Sequence, residues 1–224
     1  MLADARMMHL RKVRALGERF DPRFFERDPR FWPIAHVARR FADRDDWPAP
    51  EEHAADGVRF VTARKPRRQR RQGTDVEDMY DAHIVRGAVP TRARCWHDYL
   101  NALVWASFPK SKAALHARQH AVVRAWIPPG ATALPNARTR EHDALALIDE
   151  GGVIVLSDGR TELAVPFGHA LFEGLVHGVP AMIARAIPFS VVSLPEAPIG
   201  VADALLAERL RAPIVPEDLP RFSF

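Results

Sequence analysis

Carboxylates and an imidazole crowd one 20-residue stretch of the chain, EHDALALIDEGGVIVLSDGR. Glu141, His142 and Asp143 stand at its start, and Asp149 and Glu150 come just before a Gly-Gly pair. Carboxylate oxygens and imidazole nitrogens are the usual protein ligands of divalent cations. The stretch is therefore a candidate metal site.

The Gly-Gly pair predicts a two-residue turn and, with the apolar residues around it, a β-hairpin near residues 143–157. Asp143 and Asp149 would then share one strand face but lie roughly 20 Å apart, too far to bind one ion. Two separate sites remain possible, one at the turn with Asp149 and Glu150, and one at the strand start with Glu141, His142 and Asp143. The plainer alternative is an Asp143–Arg160 ion pair across the strands and a solvated turn.

A second candidate set lies on one face of a predicted helix, in the sequence GHALFEGLVHG. His169, Glu173 and His177 follow one another at intervals of four residues. His169 and Glu173 could bind one ion, but all three could not, because the two ends of the set are roughly 12 Å apart. Solvated helix residues are the alternative, as they are for His116 and His120, which lack the Glu of a metalloprotease motif.

A third candidate set crowds the start of another predicted helix, in PTRARCWHDYLNALVW. His97 could act as a general base, and Arg92 could hold an anion. Asp98 points away from the face that His97 shares with Asn101. The alternative is a polar helix end whose side chains only cap neighbouring loops.

A basic arm at residues 64–73, RKPRRQRRQG, carries six cations and no acid. Six cations exceed the net charge of +4, so the rest of the chain is net negative. If all six bound phosphates of duplex DNA, the log-log salt slope would be roughly −5. A solvated loop is the alternative, and no aromatic residue in the arm could stack on a base. The six cations are Arg64, Lys65, Arg67, Arg68, Arg70 and Arg71.

The elements that must position these side chains are mostly helical. An amphipathic helix is predicted at 2–19, two short turns at the repeated Asp-Pro-Arg-Phe, a further short helix at 33–43 and a strand at 57–63. The other predicted helices span 75–87, 93–109, 110–129, 166–178 and 200–212, with an irregular tail at 213–224. The expected fold is α+β, mostly helical, with a small antiparallel sheet that includes the hairpin near 143–157. The expected organisation is a single domain over 1–224, with a helical N-terminal lobe at about 1–56 and a core at about 74–212.

Composition narrows the functional classes. The 224 residues are 47% hydrophobic, and no apolar run suits a signal peptide or a membrane span, so a cytoplasmic protein is expected. Cys95 is the only cysteine, which excludes an intrachain disulfide and a cysteine-cluster zinc site. Glycine-rich phosphate loops, the dinucleotide-binding glycine triplet and the Gly-x-Ser-x-Gly elbow are absent from the sequence, so no nucleotide cofactor is expected.

Three segments together resemble the bacterial domain-of-unknown-function family 3025, over roughly residues 75–180. They are PTRARCWHDYLNALVWASFPKSKAALHARQ, HDALALIDEGGVIV and FGHALFEGL. His142 and Ala146 depart from the Arg and Thr that the family pattern has there. The resemblance implies that the three segments form one folding unit, so that their polar residues could converge. The matching residues include Thr91, Arg92, Trp96, His97, Asp98, Asn101, Lys112, Asp143, Asp149, Glu150, Gly168, His169 and Glu173.

If these segments pack together, their carboxylates and imidazoles would lie close to one another and to the basic arm. A metal-dependent nuclease or phosphodiesterase requires side chains of these types. The expected cofactor is Mg²⁺ or Mn²⁺, with nucleic acid contacted by the arm and Arg92. Against a standard restriction-type core, the (Asp/Glu)-x-Lys element is missing after the hairpin. The candidate metal ligands are Asp143, Asp149, Glu150, His169 and Glu173, and the candidate catalytic residues are His97, Asp98, Asp143, Glu150 and Lys112.

Two alternatives from other classes remain. A non-enzymatic nucleic-acid-binding or assembly protein would use the arm alone, and its buried polar residues would only hold helices together. A small-molecule enzyme or binding protein would use a pocket lined by Arg92, His97 and His169, and it would tolerate loss of the arm.

Overall fold

The computed structural model describes residues 19–63, 76–127 and 139–224. The helix expected at 2–19 lies almost wholly outside the described residues, and the basic arm lies entirely outside them. The α-helices of the described part are α1 Trp32–Ala38, α2 Tyr80–Val85, α3 Trp96–Ser107, α4 Pro109–Trp126, α5 Arg140–Gly151, α6 His169–Val176 and α7 Pro198–Arg209. The strands are β1 Ala54–Ala55, β2 Val58–Thr62, β3 Ala88–Thr91, β4 Gly152–Ser157, β5 Glu162–Pro166, β6 Ile183–Ser190 and β7 Arg221–Ser223.

The strands form two small mixed sheets. The first has the order β1-β2-β3, in which β2 pairs antiparallel with β1 and parallel with β3. The second has the order β5-β4-β6-β7, in which only the central β4–β6 pair is parallel. A parallel pair needs a long crossover, and α6 lies within the one between β4 and β6. The α+β class is confirmed, but the sheets are mixed and not purely antiparallel.

The hairpin expected near 143–157 is wrong in position. Residues 140–151 form α5, and the Thr139 side chain caps it by accepting a hydrogen bond from the backbone N–H of His142 at 3.1 Å. The Gly-Gly pair therefore ends a helix and begins β4. The hairpin that does form joins β4 to β5 through a turn at Asp158 and Gly159, whose φ of +83° suits glycine. The expected Asp143–Arg160 ion pair across two strands is therefore wrong, because Asp143 lies in a helix.

Several other sequence predictions are confirmed. Asp28 caps the second short turn, because its side chain accepts a hydrogen bond from the N–H of Arg30 at 2.9 Å. The face of α3 that was expected to be apolar is buried, with Trp96, Leu100 and Leu103 at most 4% exposed. In contrast, the prediction of an irregular tail at 213–224 is wrong in part, because β7 lies within it and pairs with β6.

Six of the described helices, α1 and α3 to α7, enclose the main core with the larger sheet and bring distant segments together. α3 packs against α6, and α4 packs against α2, α5 and α7. Aromatic rings from the short N-terminal turns close this core, with Phe24 and Phe31 5.0 Å apart between ring centroids. In the described ranges, no helix has both the length and the apolar character of a membrane span.

His53 lies in an aromatic nest, with ring centroids 5.1 Å from Phe41, 5.6 Å from Phe60 and 5.4 Å from Tyr99. Burial lowers the pKa of His53 from 6.5 to about 4. Below about pH 6.5 the His53 imidazole is protonated in the unfolded chain but stays neutral in the folded protein, so the free energy of unfolding falls as the pH drops toward 4.

We predict that wild type loses about 3 kcal/mol more stability than His53→Leu between pH 7 and pH 4. The measurement is the free energy of unfolding in urea at several pH values. Parallel stability curves for the two proteins would contradict the prediction.

Candidate metal centre

Two imidazoles and a carboxylate meet at one point between three helices. His97 lies in the first turn of α3, His169 begins α6, and Glu150 lies in the last turn of α5. The Nε2 atoms of His97 and His169 are 2.9 Å apart, and Oε2 of Glu150 is 3.3 Å from Nε2 of His169. One ligand atom from each residue lies within 4.8 Å of the other two.

A close backbone contact at Gly168 sets the position of His169. The N–H of Gly168 donates to the carbonyl of Gly152 at 2.9 Å. A Cβ at Gly168 would lie 2.5 Å from the carbonyl oxygen of Glu150 and equally close to the backbone nitrogen of Gly151, closer than side chains tolerate. Glycine therefore allows the start of α6 to rest on the end of α5, which places His169 beside Glu150.

Glu173 orients His97 from behind. Its Oε2 lies 2.9 Å from Nδ1 of His97, one turn of α6 beyond His169. This hydrogen bond, followed by the neighbouring carboxylates and opposed by burial, raises the pKa of His97 above its usual range. With Nδ1–H donating to the carboxylate, Nε2 of neutral His97 presents its lone pair to His169, as in metal sites where a carboxylate supports a ligand histidine.

His169 has the opposite protonation tendency. Its side chain is almost completely buried, and burial lowers its pKa to about 3, so it is a neutral imidazole at pH 7. Nδ1 of His169 lies 3.9 Å from Oδ1 of Asp149. Glu150 is half exposed, and burial of the other half raises the pKa of its carboxyl group.

A buried ion pair lies behind the centre. Lys112 is 0% exposed, and its Nζ is hydrogen-bonded to Oδ1 of Asp149 and lies 5.7 Å from the centre of the Trp105 ring. Burial alone would raise the pKa of Asp149, but the positive charge of Lys112 holds it well below its usual range. Asp149 is thus an ionised carboxylate committed to Lys112.

The centre opens into a pocket of about 470 Å³. Tyr80 and Asn101, joined by a 3.1 Å hydrogen bond, form part of its wall. Arg92 and Asp98 lie at this pocket as a bidentate pair, with nitrogen-to-oxygen distances of 3.0 and 2.7 Å. The Arg92 side chain is 63% exposed, so its remaining donors face solvent.

The structure separates other residues that the sequence had grouped together. Asp143 is exposed in the first turn of α5, about 10 Å along the helix axis from Glu150. His177 lines a different pocket, at the far end of α6. His116 is buried and not solvated as expected. Its Nδ1 lies within hydrogen-bond distance of Oδ1 of Asp81, at 2.8 Å, which satisfies this ring nitrogen inside the protein.

Sequence reasoning missed Tyr80 and Asp81 as residues of this pocket. Both lie on α2, and their partners Asn101 and His116 lie on α3 and α4. No local pattern in the sequence indicates a contact between side chains so far apart along the chain.

A family model described as "Protein of unknown function (DUF3025)" matches residues 59–164. The match confirms the resemblance noted in the sequence, and it includes His97 and Glu150 but ends before His169. The searches of curated proteins and of solved structures each returned no match.

We predict that Asp149→Asn destabilises the protein by about 3–5 kcal/mol, because it leaves the buried Lys112 without a counter-charge. Adding Lys112→Met to Asp149→Asn should recover much of that loss. The measurement is a double-mutant cycle from urea unfolding. Additive effects of the two substitutions would show that the pair is not coupled.

Proposed function

We propose that the protein is a divalent-metal-dependent hydrolase of phosphodiester bonds, a nuclease or related phosphodiesterase. The observation that carries the proposal is the cluster of two imidazole nitrogens and one carboxylate oxygen at the pocket. Two histidines and a carboxylate are a common ligand set of catalytic metal sites, in which further coordination positions stay open for water and substrate.

The spacing of the two nitrogens suits a single ion. Nitrogens that bind one ion at about 2.0–2.1 Å each lie about 3 Å apart when the angle at the ion is about 90°. His97 and His169 meet this condition with their Nε2 atoms 2.9 Å apart. Imidazole ligands favour Zn²⁺, whereas Mg²⁺ and Mn²⁺ prefer oxygen ligands, so Zn²⁺ fits this ligand set better than either of the two ions expected from the sequence.

The protonation of the pair also supports a cation. When Nδ1–H of His97 donates to Glu173 and His169 is neutral with its proton on Nδ1, two lone pairs face each other. The other tautomer of His169 removes this repulsion by donating Nε2–H to His97, and an extra proton on His97 or a metal ion between the two nitrogens removes it as well. The arrangement is thus suited to exchange a proton for a divalent cation.

His97, His169 and Glu150 would hold the ion, which would supply Lewis-acid activation of a phosphate oxygen and of a water molecule. Glu173 keeps the His97 ring in the orientation that binds the ion. Arg92 offers its exposed donors to a neighbouring phosphate oxygen while Asp98 fixes the plane of its guanidinium group. Asp149, Lys112 and Asp98 act as positioning residues, since each is engaged in an ion pair.

Nucleic acid is the proposed substrate because of the basic arm. Ala63, the last described residue before the arm, lines the pocket that holds the metal cluster. Six cations in ten residues are thereby joined to the chain at the pocket. Contacts of this kind supply affinity for phosphates without sequence preference.

A second candidate is a hydrolase or binding protein for a small molecule. Arg92, His97 and His169 line a single pocket of about 470 Å³, a size typical of small-ligand sites. The two candidates share the metal centre but differ in their need for the arm.

We predict that wild type binds one Mn²⁺ or Zn²⁺ and that His97→Ala, His169→Ala and Glu150→Gln each weaken binding at least about 100-fold. Glu173→Gln should weaken it by about 10–100-fold, because Glu173 only orients a ligand. His120→Ala, on α4 and away from the pocket, is the control. The measurements are isothermal titration calorimetry and cleavage of single-stranded, duplex and plasmid DNA with Mn²⁺, Zn²⁺, Mg²⁺ or EDTA. Equal metal affinity in the wild type and the ligand variants would exclude this site.

We further predict that replacing the six cations of the arm by Ser weakens DNA binding and makes the log-log salt slope shallower by up to about 5. Fluorescence anisotropy at several salt concentrations measures both effects. Hydrolysis of a small ester such as bis(4-nitrophenyl) phosphate should be unchanged by this replacement. An unaltered salt slope together with retained ester hydrolysis would favour the small-molecule candidate.

A further inference from the structure

A second groove adjoins the metal centre. It has a volume of about 780 Å³ and lies between α5, the start of α6 and the β6–β7 pair. Glu150 and Ala146 line both this groove and the metal pocket, so the two spaces share a wall. The groove extends along α5 as far as Asp143, about 10 Å from Glu150 by helix rise.

Two arginines face each other on the sheet side of this groove. Arg185 of β6 and Arg221 of β7 are directly paired in the antiparallel register, and both line the groove. Like charges directly opposite each other on a sheet are destabilising. Within the described ranges, neither guanidinium has a carboxylate within 4 Å; Arg185 donates to the carbonyl of Leu219 at 3.2 Å. An oxyanion between the two guanidiniums would relieve their repulsion and accept hydrogen bonds from both.

The rest of the lining defines what the anion is attached to. The acidic residues of the groove, Asp143 and Glu150, belong to the α5 wall, opposite the strands. The rest of the lining is mostly apolar and includes Leu147 of α5 and Met182 and Ile183 at the start of β6. The groove therefore suits an anionic group, bound by the arginines, that is attached to an uncharged group, which contacts the apolar lining.

We propose that Arg185 and Arg221 bind a phosphate of the nucleic-acid strand next to the one that is cleaved, with its sugar against the apolar wall. This inference rests on the proposed function, since continuity with the metal pocket through Glu150 is what makes the bound anion part of the same substrate. None of the described residues that line the groove has an aromatic ring for base stacking, so the proposed contact is to phosphate and sugar and is independent of base sequence.

The test compares trinucleotides that carry a 5′-phosphate or a 5′-hydroxyl, with binding measured by fluorescence anisotropy in EDTA. Metal is excluded so that binding is observed without hydrolysis. Wild type should bind the phosphorylated probe about 10-fold more tightly than the hydroxyl probe, and Arg221→Gln should remove most of that difference. Its salt slope for the phosphorylated probe should also be shallower than that of the wild type by about 0.7.

The matched control is Arg59→Gln, which removes an exposed strand arginine of the other sheet. Arg221→Gln is preferred to Arg185→Gln because Arg185 also holds the carbonyl of Leu219. Thermal melts of Arg221→Gln and wild type verify folding. The phosphate subsite would be overturned if Arg221→Gln and Arg59→Gln preferred the phosphorylated probe to the same degree, or if the wild type showed no preference between the two probes.

The outcome is separable from that of the proposed hydrolysis. His97→Ala should abolish cleavage in Mn²⁺ and leave binding of the phosphorylated probe in EDTA unchanged. The protein could prefer the phosphorylated probe through Arg221 and yet cleave no nucleic acid. That result would support the phosphate subsite and contradict the proposed nuclease activity. Competition by inorganic phosphate as strong as that by the phosphorylated trinucleotide would show that the groove binds free phosphate, and would overturn the assignment to a strand.

Discussion

The contact between the start of α6 and the end of α5 is the constraint on which the candidate centre depends. Gly168 lies so close to the backbone of Glu150 that no side chain fits between them. His169 follows immediately and is thereby fixed beside Glu150. Because Glu173 lies one turn further along the same helix, the same contact also sets the residue that orients His97. One short backbone approach therefore positions three of the four polar groups of the centre.

The sequence predicted most helices because their signals are local. Apolar periodicity and a following proline defined α3, and Asp28 was recognised as a cap. α5 was assigned as a strand because a Gly-Gly pair is a strong turn signal, although Thr139 is a helix cap and Leu145 and Ile148 are spaced for a helix. The parallel β4–β6 pairing was not predictable, since no local feature records which strands meet across a crossover.

The candidate centre was predictable in its members but not in its geometry. His97, Glu150 and His169 each stood out as polar residues in otherwise apolar segments, and the family resemblance indicated that these segments fold together. The strand assignment gave Asp143 the same weight as Glu150, because it placed both on one hairpin. In a helix they lie at opposite ends, so only Glu150 reaches the two imidazoles. Residue type alone therefore could not distinguish Glu150 from Asp143. The distinction required knowing that the segment is a helix and not a strand.

The buried Lys112–Asp149 pair is better explained by ligand orientation than by stability. Two charges removed from water gain little net free energy from each other, and an apolar pair of similar size often does as well. Lys112, however, keeps Asp149 ionised at a site where burial would favour its neutral form. An anionic Asp149 near Nδ1 of His169 favours the tautomer with its proton on Nδ1, and that tautomer turns the lone pair of Nε2 toward His97. Glu173 orients His97 through a hydrogen bond of 2.9 Å, whereas Asp149 acts on His169 through its charge alone, because Nδ1 of His169 has no hydrogen-bond partner among the described residues.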